Sequence, residues 1–135
     1  MEYLFWDVYD AELYAPDGVW RKNQPFALTL RYLLELDGEA IASRSVSEMR
    51  EQGFDDEVTL ARWYELMRTT FPSVDENTRI TGVMDQDKHT RFFKNGDLIG
   101  EINEPLFSEW FFNIWLGEKT SAPELRARLL GVNNR

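Results

Sequence analysis

The chain has 135 residues, 24 acidic against 15 basic, for a formal charge of −9, and its length is that of one domain. It has no Lys/Arg run to neutralise phosphates, which excludes a nucleic-acid face and argues against binding an anionic membrane surface. It has no cysteine, so a disulfide frame, a zinc knuckle and a thiol nucleophile are all excluded.

Residues 2–14 are rich in aromatics and Val with acidic residues between them, which suits a long strand. Ala15-Pro16-Asp17-Gly18 reads as a turn. In the next strand Phe26, Leu28, Leu30, Tyr32 and Leu34 share one face, while Ala27, Thr29, Arg31 and Leu33 share the other. Residues 39–52 predict a helix with a narrow stripe of Ala42, Val46 and Met49, a cap at Asp37 and a stop at Gly53. Leu60, Trp63, Tyr64, Met67 and Phe71 recur at helical spacing over 57–71, behind Asp56 as cap and ahead of Pro72 as terminator.

Residues 79–102 return to strands, and Asn95-Gly96 between alternating segments is a type I′ hairpin signal. Pro105 opens and Gly117 closes an aromatic helix, EPLFSEWFFNIWLG. Its Phe107, Phe111 and Ile114, with Leu106 and Trp110, form an arc suited to lying on a sheet. A short last helix over 123–130 keeps Leu125, Leu129 and Leu130 for the core. Strands in a meander with helices in two blocks indicate an α+β fold, an antiparallel sheet covered on one face by helices.

The Asn95-Gly96 loop places Phe93 opposite Leu98 and Arg91 opposite Gly100. A preceding loop of two or four residues around Gln86-Asp87 places Gly82 opposite Arg91 as well; a three-residue loop there would break that register. One face then carries a guanidinium in an apolar surface, with a glycine on each side. Arg91 is thus a candidate anchor for the acidic head of an apolar ligand. Gly82 and Gly100 would give it space, and Phe93 and Leu98 would be its apolar neighbours. The alternative is an internal ion pair of Arg91 with Glu109 or Glu48, the glycines serving only sheet curvature.

His89, the single histidine, has no nucleophile elbow near any serine and reads as an edge residue. Asp85-Gln86-Asp87 and Asp55-Asp56-Glu57 lack the spacing of a calcium loop and read as solvated turns, so no metal site is expected. Arg31 reads as structural, and no pattern requires a cofactor.

VYDAELYAPDG at 8–18, ALTLRYLLELDGEAIA at 27–42 and the block at 90–131 resemble bacterial members of the chalcone isomerase-like family. The resemblance implies an open-faced sandwich, a large antiparallel sheet covered on one face by helices, with a small-molecule cleft between the layers. Plant chalcone isomerases close a flavanone ring there, using an arginine, threonines and a helical Y-x-x-K-x-x-x-N pattern. Related plastid members bind fatty acids. Here Ile41, Arg44 and Glu48 stand where the tyrosine, lysine and asparagine are expected, and Ile99 stands where a catalytic threonine is expected. An isoleucine offers no hydrogen bond to a phenolate.

The expectation is one domain over 1–135 that binds a small apolar carboxylate, a fatty or aromatic acid, without chalcone isomerase catalysis. An isomerase or intramolecular lyase acting on an unsaturated small molecule, and a structural interaction module, are the alternatives. No nucleic acid and no membrane span are expected among its partners; a homo-oligomer is left open. MEYLFWDVYD lacks the basic region of a signal peptide. The bacterial relatives carry an export signal and a strand upstream of Met1, which points to a trimmed or alternatively started chain. Its compartment is the periplasm if a signal was removed and the cytoplasm otherwise.

Overall fold

The structure, a computed structural model, describes residues 8–131; the start of the strand read over 2–14 lies outside the described residues. Five strands form one antiparallel sheet in chain order: β1 (Tyr9–Tyr14), β2 (Phe26–Tyr32), β3 (Arg79–Met84), β4 (Thr90–Lys94) and β5 (Asp97–Ile102). Helices α1 (Gly38–Glu51) and α2 (Glu57–Thr70) are inserted between β2 and β3, and α3 (Pro105–Leu116) and α4 (Pro123–Leu130) follow β5. The architecture is the α+β open sheet that the sequence predicts.

The alternation read in β2 is what the sheet uses. Phe26, Leu28, Leu30 and Tyr32 are buried, while on the other face Thr29 joins Thr81 of β3 through their hydroxyls at 2.8 Å. Arg31, also on that face, donates to Asn77 Oδ1 at 2.8 Å and pairs with Asp10, a structural role. The helices press their apolar stripes on the inner face, where Trp63, Phe92, Phe107, Met49, Leu60 and Met67 are fully buried. The arc predicted for α3 is mostly buried, but Leu106 is exposed, whereas Phe112, Trp115 and Leu116 are buried. Phe111 lies edge-on to Phe92 at 5.2 Å and stacks with Phe107 at 5.3 Å between ring centres, arrangements that add to the burial of each ring.

Local signals fix the helix ends. Asp56 accepts from the Thr59 backbone N–H at 3.3 Å and from its hydroxyl at 2.8 Å, capping α2. Asp37 stands at the α1 cap position but makes no side-chain cap bond. What sets that end instead is Gly38, where a Cβ would come within 2.1 Å of the Phe71 carbonyl oxygen. Only a glycine lets α1 start so close to the end of α2.

The register of β3 to β5 departs from the sequence reading in two places. Asp85 N donates to His89 O and Lys88 N to Asp85 O, each at 3.0 Å, with Lys88 at φ 63°. The loop therefore holds three residues, and Gly82 pairs with Phe92 while Val83 pairs with Arg91. Across the Asn95-Gly96 turn, Lys94 pairs with Asp97 and Phe93 with Leu98 as predicted. A bulge then shifts the ladder, so Phe92 faces Gly100 and Arg91 faces Glu101. A one-residue slip exchanges the faces of a strand, and this one carries Arg91 to the outer face.

Candidate functional site

The five residues predicted to line a cleft do not form one. Arg91 is half exposed; its Nε donates to Glu101 at 3.2 Å and its Nη2 lies 3.8 Å from Asp85. Neither Glu109 nor Glu48 is its partner. Phe93 is partly buried opposite Thr81, and Leu98 is 60% exposed. Gly82 and Gly100 do lie where something approaches closely, but the space is taken: a Cβ on Gly82 would meet the Phe112 ring at 3.2 Å, and one on Gly100 would meet Thr70 Cγ2 at 2.7 Å. These glycines seat helix side chains on the sheet.

On the outer side, Asp85, His89 and Glu101 bring one ligand atom each within 4.8 Å of one another. The guanidinium of Arg91 already sits beside both carboxylates, so the cluster is charge-compensated and is not read as a metal centre.

A cavity of about 270 Å³ does open between the sheet and the helices, toward the β1 side. Its sheet wall is Tyr9, Leu30, Tyr32 and Ile80; Phe111, Ile114 and Trp115 of α3 close another side. On α1 it is lined by Ala40, Ile41, Arg44, Ser45 and Glu48. These positions share one helix face by their spacing, and Ala40 and Ser45 are small enough to leave the space open.

The walls are apolar except for a few polar groups. Glu48 is 2% exposed, and both its oxygens are engaged: Oε2 with Arg44 Nη2 at 3.1 Å, Oε1 with the Ser121 hydroxyl donating at 2.7 Å. Arg44 is half exposed, so the buried member of the pair is the anion. Tyr9 accepts from Trp115 Nε1 at 2.7 Å. Tyr32 is 3% exposed and lines the cavity.

Burial pushes both phenols well above the ordinary tyrosine value. For Tyr9 the hydrogen bond from Trp115 opposes that shift, while Tyr32 and Glu48 add to it and Arg44 subtracts. Both therefore stay neutral O–H donors at pH 7.

In the sequence Tyr32 reads as core and Tyr9 as part of a strand. A signal for the site was available at Ile41, Arg44 and Glu48, the positions that the family pattern assigns to catalytic side chains. All three line the cavity.

A family model described as chalcone isomerase-like matches residues 2–131. Among solved structures, a crystal structure of an Arabidopsis thaliana fatty-acid binding protein superposes with a TM-score of 0.62 at 15% sequence identity. The match covers 78% of this chain and 55% of that one, so the chain spans a little over half the length of that neighbour. No curated protein matches the sequence.

Proposed function

The chain belongs to the chalcone isomerase-like family, and from that premise we propose that it is a binding protein for a small apolar molecule with an oxygen-containing head, a fatty or aromatic acid. The observation that carries this reading is the apolar cavity between the sheet and the helices, with the neutral phenol of Tyr32 in its wall. An acceptor atom on the ligand would satisfy that donor, and the apolar body would lie against Leu30, Ile80 and Ile114. This is the usual composition of a small-molecule site, an apolar lining with a few placed polar groups.

The volume sets the scale of the part of the ligand that the cavity covers. About 270 Å³ equals roughly nine water volumes, room for a body of about ten non-hydrogen atoms. The fatty-acid binding of the Arabidopsis protein, which shares the fold, supports the same ligand class. Ile41 offers no proton to a phenolate, so the plant ring closure is not part of the proposal.

Calorimetry with octanoic acid, 1-octanol and cinnamic acid tests the reading. Saturable one-to-one binding of at least one of them, weakened in Tyr32→Phe, is the expected result. Absence of binding by all three would refute it.

A further inference from the structure

The charge arrangement at the polar end of the cavity says in which form a ligand head is accepted, an inference that rests on the binding function proposed above. The buried charge facing the space is the Glu48 carboxylate, 2% exposed. Its cationic partner Arg44 is half exposed and already paired to it at 3.1 Å. The other polar groups at this end are hydroxyls: Ser121, which donates to Glu48 at 2.7 Å, Ser45, which donates to the Ile41 carbonyl, and Tyr9 and Tyr32 in the cavity wall. A carboxylate entering beside Tyr32 would meet neutral donors and a like charge, with the nearest guanidinium already engaged. Like charges sharing a poorly hydrated site disfavour the ionised form of the newcomer.

We propose that this cavity takes its ligand uncharged: a protonated carboxylic acid, or the alcohol or carbonyl of the same apolar body. The neutral head accepts from Tyr32 without approaching Glu48 as an anion. An acid ionised in solution then binds with uptake of one proton from the buffer, RCOO⁻ + H⁺ giving bound RCOOH.

Calorimetry of the full chain from about pH 5.5 to about pH 7.5, with octanoic acid and 1-octanol as probes, reads this directly. The acid is mostly ionised above its carboxyl pKa of about 4–5. Its apparent Kd is therefore expected to rise about tenfold per pH unit, roughly a hundredfold over the range, while that of the alcohol stays level. The acid's binding enthalpy is expected to change with the ionisation enthalpy of the buffer by the amount of one proton. A level Kd for the acid, with no buffer dependence, overturns the inference and leaves the binding function standing. Failure of both probes at every pH overturns both. In Glu48→Gln the like charge is gone, and the acid's pH dependence is expected to flatten. A slope as steep as in the parent chain would remove Glu48 from the explanation and overturn it.

Discussion

Replacing Ser45 by Leu is expected to stabilise the fold and to abolish ligand binding. Ser45 is 6% exposed and lines the cavity. Its hydroxyl donates only to the Ile41 carbonyl in its own helix, at 2.8 Å, so the change breaks no hydrogen bond between elements. Leucine places about three more carbon groups in the empty space, worth about 0.8 kcal/mol for each CH₂ buried. Lost rotamer freedom takes back about 0.5–1 kcal/mol, and better helix propensity returns a few tenths. The net is a gain of about 1–2 kcal/mol, which raises a urea midpoint by roughly 0.5–1 M. If the space were filled, the same bulk would cost about 1–3 kcal/mol, so the sign decides. Urea unfolding and octanol calorimetry on the same variant give the two readings. A lowered midpoint, or octanol binding as tight as in the parent, would refute the cavity as described.

The remaining expectations reach other parts of the molecule. Tyr32→Phe removes the phenol O–H from the cavity wall; its urea midpoint is expected to change by less than about 0.5 kcal/mol equivalent, while its octanol Kd weakens roughly three- to fifteenfold, the worth of one hydrogen bond. Arg91→Ala, on the outer face, is expected to leave octanol binding unchanged and to cost about 0–1 kcal/mol in urea unfolding, as exposed pairs do. Gly38→Ala forces a Cβ against the Phe71 carbonyl oxygen and is expected to cost about 1–3 kcal/mol or more; an unchanged urea midpoint would contradict that close approach. The Glu104 carboxyl is held below the usual range first by hydrogen bonds from Arg62, against burial, with Trp63 adding to the lowering. A depressed folded-state pKa contributes stability that is present above the unfolded value and lost as pH falls through the folded one. Glu104→Gln is therefore expected to show a shallower loss of stability on acidification below about pH 4.5; an unchanged acid limb would contradict it.

The elements were legible because their signals are local. Asp56 ahead of the Leu60, Trp63, Met67 stripe, Pro105 at a helix start and the β2 alternation each act within a few residues of chain. Asn95-Gly96 shows the same thing in the hairpin, with φ of 49° and 92°. Register over β3 to β5 was not legible, because loops of two, three or four residues around Gln86-Asp87 all suit the sequence, and the choice depends on how the strands pair. The left-handed Lys88 and the bulge beside Phe93 settle it, and either one moves Arg91 relative to a glycine. The cavity was less legible still, since empty space has no residue to mark it. Ala40 and Ser45 are ordinary helix residues, and only the helix geometry shows that they stand opposite Leu30 and Ile114 across a gap.

Methyl-labelled NMR with octanol titrated into the chain separates binding in the cavity from binding elsewhere, because it reports where the ligand sits. Saturable shifts are expected in the methyls of Ile41, Ile80, Ile114 and Leu30, with the Leu98 and Leu106 methyls, both exposed and away from the cavity, unmoved. Shifts confined to Leu98 and its neighbours on the outer sheet face, or no shifts at all, would contradict binding in the cavity.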